Sequence, residues 1–367
     1  MSAAFRRMVS SLALAAVLAL VSTGPSAAAA MRGVLSIVAL DRATGTIGVA
    51  VVSDAPGCGS EVPWVEAGVG AIATQGDANP GWGPRGLEFL RRGVPAQAVV
   101  DSLYRNDPGY LRRQVGVIDR NGVTGGFTGL ELIGFAAGVI DSFVAVQGNS
   151  LSYTTALMAL HDTMLARSGL PLPERLLHGI AWGATQARGP LRSAALLVGR
   201  ADPERPASAT RWIDLRVDDH PSPVAELERL FRLHAAGRLV ESHVHFAAQA
   251  KRAGATKLEQ ADRARAEQLM TRALADTSLT PHALGAMAMG LSQHGTHLEQ
   301  AAKAIERALV REPKNRSFLD TASVLAEKRG DRAGALTFAR RAAEAAPRDE
   351  YLQERAKTLG AAAAAKK

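Results

Sequence analysis

Near the carboxyl end four residues repeat as a set: Ala301, Ile305, Ala308 and Pro313 recur as Ala335, Ala339, Ala342 and Pro347, each displaced by 34 positions. That period, with small residues where two helices cross and proline at the end of the unit, describes a repeated helix–turn–helix. Ala266, Met270 and Ala273 supply an earlier copy, one residue out of register with the next. A single unit of this kind cannot bury its apolar face alone, so residues 251–360 read as stacked helix pairs. The plainer alternative is an alanine-rich helical hairpin, since the bulky aromatic positions of such repeats are absent. The constraint ends abruptly upstream. Trp64, Trp82, Trp182 and Trp212 all precede residue 240, and only Phe318, Phe338 and Tyr351 represent the aromatics after 250. This shift implies two differently built regions, with a linker expected at 239–250 and a disordered tail at 361–367.

The first region alternates strand and helix signals. Val34 to Leu40 and Thr46 to Val52 are β-rich runs joined by Asp41-Arg-Ala-Thr-Gly45, which predicts a hairpin. Gln114 to Asp119 and Val123 to Thr128 repeat the pattern around Asn121-Gly122, a strong turn dipeptide. Further strands are expected at Gly70 to Thr74, Ser142 to Gln147, Ser193 to Val198 and Arg211 to Val217. Helical periodicity marks Pro84 to Arg92, Pro95 to Arg105, Tyr153 to Arg167, Pro173 to Ala187 and Pro223 to His234. Hairpins interleaved with helix pairs predict an α+β fold with helices layered on antiparallel sheets.

Charge is uneven. The 367 residues carry 43 Lys/Arg against 35 Asp/Glu, yet residues 251–367 hold 21 against 14 and residues 31–250 hold 20 against 21. The basic excess is interleaved with acids and lacks aromatics, so no nucleic-acid partner is expected. Arg6 and Arg7, the apolar run Leu12 to Val21, and the small-residue string Ser26 to Ala30 have the order of a secretory signal. Residues 1–30 therefore read as a signal peptide cut between Ala29 and Met31. The mature protein is expected to be secreted or periplasmic, with no membrane span. The single cysteine, Cys58, excludes an internal disulfide and a cysteine-based zinc site.

Familiar chemical signatures are missing: there is no G-x-x-x-x-G-K, no nucleophile elbow and no H-E-x-x-H. No cofactor or metal is expected. Asp218-Asp219-His220, with Asp214, could attract a cation, but acids before Pro223 read better as a helix entrance. Polar residues at strand ends are more informative. Ser53-Asp54, Thr74-Gln75 and Gln147-Gly148-Asn149 each close a predicted strand, and short polar groups there can converge on a cleft and bind an amide.

Several strings resemble one family. Leu35-Ser-Ile-Val-Ala39, Val62-Pro-Trp64 with Glu66-Ala-Gly-Val-Gly70, Ala73-Thr-Gln75, Gly83-Pro-Arg-Gly-Leu87 and Arg113-Gln-Val-Gly-Val117 do so. Val146-Gln-Gly-Asn149, Ser193-Ala-Ala-Leu-Leu-Val198 and Asp214-Leu-Arg-Val-Asp-Asp-His-Pro221 continue the match in order. From 34 to 236 the chain is similar to the prokaryotic domain-of-unknown-function 1028 family, and the tail resembles the tetratricopeptide repeat. The resemblance implies an N-terminal-nucleophile-hydrolase-like domain over 31–238, a four-layer αββα sandwich, followed by the all-α tail. In such hydrolases a terminal Thr, Ser or Cys attacks an amide with its own amine as base. Relatives commonly carry Thr where this chain has Val34. They also differ at Gly183-Ala-Thr-Gln186 and Leu191-Arg-Ser193, where Gly-Gly-Asp and a Gln are usual. If the domain is an enzyme, Ser36 or Ser53 is the remaining nucleophile and Asp54 completes the catalytic set. Gln75, Gln147 and Asn149 would then bind a small amide or peptide. The alternative is a non-catalytic ligand-binding module whose helical tail docks a protein partner.

Overall fold

Residues 33–151, 155–187, 189–204 and 211–364 are described by a computed structural model of the chain. The expected signal peptide and its cleavage site lie outside them. The chain divides into two compact units between Leu227 and Glu228.

The first unit opens with β1 (Val34–Asp41) and β2 (Thr46–Ser53), the expected hairpin, turned at Gly45 with φ +67°. A second sheet follows in β3 (Pro63–Glu66) and β4 (Gly70–Gly76). After helices α1 (Trp82–Arg91) and α2 (Ala96–Tyr104), β5 (Arg113–Asp119) and β6 (Thr124–Thr128) join it. Gly122, at φ +84°, makes their turn, as the Asn-Gly pair requires. Strands β7 (Phe135–Asp141) and β8 (Val144–Leu151) return to the first sheet. Helices α3 (Thr155–Ala166) and α4 (Leu172–Ala184) lead to β9 (Ser193–Gly199) and β10 (Arg211–Val217), and the division at Leu227 falls within the next helix, α5 (Pro223–His234). The sheet orders are β10-β9-β2-β1-β8-β7 and β3-β4-β5-β6, with every pairing antiparallel.

The two sheets pack face to face. Val34, Val38, Val49 and Val51 of one meet Ala71, Ala73 and Ile118 of the other. Helices α3 and α4 cover the outer face of the six-stranded sheet, and α1 and α2 cover that of the four-stranded sheet. This is the αββα sandwich. Being covered on both faces explains why β1 and β2 are continuous apolar runs rather than alternating ones. Helix α4 lies close on its sheet because Gly179 and Gly183 leave room; a Cβ there would come within 2.7 Å of Ile37 and Leu35.

Two strands went unread in the sequence. β3 is four residues long and begins with proline, and β7 is a half-exposed edge rich in Ala and Gly. β3 is too short to show a pattern, and in β7 Ala136, Ala137 and Gly138 dilute the aromatic and β-branched residues that mark a strand. The strand expected from Ser142 begins at Val144, because Ser142 and Phe143 form the turn, with Phe143 at φ +68°.

The second unit is helical. The expected linker at 239–250 is instead helix: a π-helical turn, Ala235–Leu239, runs into α6 (Val240–Arg252). Then come α7 (Thr256–Ala275), α8 (Pro281–His294), α9 (Leu298–Arg311), α10 (Arg316–Lys328), α11 (Arg332–Ala345) and α12 (Glu350–Ala364). Helix α12 covers the first four residues of the expected disordered tail, and 365–367 lie outside the described residues. Helices α9 and α11 start 34 residues apart, as do α10 and α12. Ala301, Ala308, Ala335 and Ala342 are all fully buried. Arg307 donates to the carbonyls of Ala273, Leu274 and Asp276, and Arg341, its counterpart 34 residues on, donates to that of Pro313. Each arginine thus satisfies carbonyls left open where a preceding helix ends. In α12, Gln353 and Lys357 occupy the repeat positions of the buried Leu319 and Ser323 of α10. Of the two copies, α12 is therefore the more polar at these positions. No described helix is long and apolar enough to cross a membrane.

Candidate functional site

A bulge in β8 organises the end of the sandwich where β1 begins. Ala137 pairs with Gly148 and Phe135 with Leu151, so Asn149 and Ser150 together face a single residue of β7. Ser150 adopts φ +53°, an uncommon conformation for serine, held by its N–H and hydroxyl donating to the Ile133 carbonyl at 3.1 and 3.2 Å. Bulges re-aim side chains, and this one points the Asn149 amide at the first strand. Asn149 Oδ1 accepts the Val34 N–H at 3.2 Å, and Asn149 Nδ2 donates to Gln114 Oε1 at 3.2 Å.

A buried amide network continues inward between the sheets. The Ser36 hydroxyl donates to Gln75 Oε1 at 2.6 Å. Gln75 Nε2 donates to the Val34 carbonyl at 3.3 Å and to Gln114 Oε1 at 2.8 Å. Gln114 Nε2 reaches Thr128 Oγ1, the Ala137 carbonyl and the Gly148 carbonyl at 3.0 to 3.1 Å. Ser36, Gln75 and Gln114 are fully buried. Gln147, also buried, donates to the Ala73 carbonyl at 3.0 Å and clamps the sheets at a separate point. Ser53 is 1% exposed, and its oxygen accepts the Ala55 N–H at 3.1 Å.

Between the start of β1 and the carboxyl end of α4 lies a narrow cleft of about 40 Å³, room for a few water molecules. Gly33, Asp54, Asn149 and Ser150 line its polar side, and Leu35, Val52 and Leu191 its apolar side. Ala187 pairs with Leu151 to close one wall. Of the six residues singled out in the sequence, Asp54 and Asn149 reach the cleft. Gln75 and Gln147 serve the interior instead, because strand alternation turns both between the sheets. The two nucleophile candidates, Ser36 and Ser53, are also turned inward, with hydroxyls already bonded. Gln114 and Ser150 escaped the sequence reading. A polar residue opening the valine-rich run Gln114 to Asp119 was the available signal for the first. The second depends on a bulge with no local signature.

Near the Pro223 helix, Asp214 and Asp219 are bonded to arginines. Asp219 takes two hydrogen bonds of 2.6 Å from Arg192, which hold its carboxyl below the usual carboxylate range. Asp214 accepts from Arg211 and Arg216. Among the described residues no group of three or more His, Cys, Asp or Glu could hold a metal ion.

Comparison with known proteins bears on this architecture. No curated protein matches the chain. The crystal structure of a DUF1028 protein from Silicibacter pomeroyi is 30% identical, covers 55% of this chain and 89% of its own, and superposes with a TM-score of 0.50. The TPR domain of Arabidopsis OM64 covers 34% of this chain and 96% of its own at 14% identity, with a TM-score of 0.22, too low to carry an argument. The family of unknown function DUF1028 has a model that matches residues 34–227. With that match spanning the αββα sandwich and its cleft, the chain belongs to the DUF1028 family.

Proposed function

We propose that the sandwich is a ligand-binding module that does not hydrolyse amides, exported from the cell and joined to a helical array that docks a protein partner. One observation carries this reading: the strand start where a terminal nucleophile would act holds Val34, 5% exposed and packed in the core between the sheets. In the chain as it stands the Val34 nitrogen is a peptide N–H bonded to Asn149, its lone pair delocalised into the amide, so it cannot act as base. The buried, bonded hydroxyls of Ser36 and Ser53 support the same conclusion. What persists is a small preformed cleft with polar groups on one side and an apolar floor on the other, sized to take one end group of a ligand rather than the whole of it.

The test pairs binding with turnover. The mature protein is titrated with a panel of aminoacyl amides and incubated with their chromogenic anilides. Binding without release above the buffer blank is expected. Release lost on Ser36→Ala, in protein whose melting curve is otherwise intact, would restore the hydrolase.

A further inference from the structure

Beside the cleft stands a feature that binding alone leaves unexplained. The loop joining β6 to β7, residues 129–134, reads Gly-Leu-Glu-Leu-Ile-Gly. Leu130 is 90% exposed and Ile133 54% exposed. The loop is nonetheless anchored. Gly129 N–H donates to the Arg113 carbonyl at 2.9 Å, Glu131 N–H to the Leu111 carbonyl at 2.8 Å, and the Ile133 carbonyl receives both bonds from Ser150. Leu132 points inward, its Cδ2 lying 2.6 Å from where a Cβ on Gly76 would sit. The Glu131 charge faces Arg112 at 3.8 Å. What the loop holds toward solvent is therefore a pair of aliphatic side chains on a fixed backbone, where burial under a ligand would be favourable.

Through Ser150 the loop adjoins Asp54, the one ionisable side chain among the described residues lining the cleft. A Cβ built on Gly33 would lie 2.9 Å from Asp54 Oδ2 and 3.3 Å from Ser150 Cβ, so carboxylate and bulge flank one point. Ser150 thus links the two: it flanks Asp54 at the cleft and bonds the backbone carbonyl of the exposed Ile133. Resting on the binding reading above, the geometry points to a ligand with a cationic amine head and an aliphatic body: the free amino end of an apolar peptide. The ammonium sits against Asp54 at the mouth, and the next side chains of the peptide lie on Leu130 and Ile133. Charge complementarity selects the amine, and the aliphatic pair on the loop selects the apolar side chains behind it.

The test uses leucyl-leucinamide, its N-acetyl derivative and glycyl-glycinamide, titrated calorimetrically into the full mature chain. Leucyl-leucinamide is expected to bind, and N-acetylation to weaken it about tenfold or more. Asp54→Asn should reproduce that loss. The double variant Leu130→Ser, Ile133→Ser should weaken leucyl-leucinamide about tenfold while leaving glycyl-glycinamide unchanged. Both altered sites are exposed, and unchanged melting curves certify the fold. Equal affinity for the acetylated probe, an unaffected double variant, or no binding of leucyl-leucinamide overturns the inference. A shift from dimer to monomer in the double variant would assign the loop to self-association and also overturn it. The parent reading fails separately, through Ser36-dependent turnover, and survives if other amides bind without release.

Discussion

Replacing Gln114 by Leu tests whether the buried amide network holds the two sheets in register. The exchange nearly conserves volume, so its cost is that of broken hydrogen bonds rather than of a cavity. Asn149 Nδ2 loses its acceptor, the Gly148 and Ala137 carbonyls and the Thr128 hydroxyl lose a donor, and Gln75 Nε2 keeps only the Val34 carbonyl. Counting only Asn149 Nδ2 and the Gly148 carbonyl, at about 1–3 kcal/mol for each orphaned buried group, the loss is about 2–6 kcal/mol. For a domain of this size that lowers Tm by at least about 4 °C. All four tryptophans lie in the sandwich, so tryptophan fluorescence follows its melting alone. Gln97→Leu is the control: Gln97 bonds Asp101 and the Gly126 N–H at the surface, and its loss should cost within about 0.5 kcal/mol. If Gln114→Leu melts within about 1 °C of the parent, the network is not a structural clamp and the reasoning fails.

The Thr74 hydroxyl is fully buried without a hydrogen-bond partner, so Thr74→Val should raise stability by about 1 kcal/mol; an unchanged or lower Tm would show that the hydroxyl is satisfied. Burial raises the pKa of Asp107, but hydrogen bonds from Asn79, Arg113 and the Gly109 N–H outweigh it and hold the carboxyl below its ordinary value. A depressed carboxylate stabilises above the ordinary range and loses that contribution as pH falls through its folded value; Tm of the sandwich should therefore fall on acidification below about pH 4, and Asp107→Asn should flatten that slope. Arg307→Ala removes bonds to three helix-end carbonyls and should cost on the order of 1–3 kcal/mol, seen in circular dichroism at 222 nm but not in tryptophan fluorescence; Arg307→Lys, with one ammonium in place of the fork, should rescue little.

Central elements were legible in the sequence because they satisfy several rules at once. The β1–β2 hairpin combines β-branched runs with a glycine turn, and Asn121-Gly122 names its own geometry. Periphery was harder. The edge strand Phe135–Asp141 needs no apolar stripe, and the helix Val240–Arg252 follows a π turn where composition alone suggested a break. At the site, strand-end position drew attention to Asp54 and Asn149, and those two do line the cleft. The same logic also selected Gln75 and Gln147, which face inward because position along a strand says nothing about which neighbour a side chain will meet. Gln114 lies on β5, 39 residues from Gln75 and 35 from Asn149, and only the pairing of sheets joins the three.

The equal spacing of α9 to α11 and of α10 to α12 makes length in the second unit a quantised property. Each residue turns a helix by about 100°, so deleting 33 or 35 residues across this stretch would swing the next apolar face away from its seat. Excision of 34 leaves every junction with an equivalent partner: Ala335 takes the seat of Ala301, Ala342 that of Ala308, and Arg341 inherits the carbonyls that Arg307 held. The unit can thus shorten or lengthen by whole helix pairs, each exchange trading one copy of the pair for its equivalent.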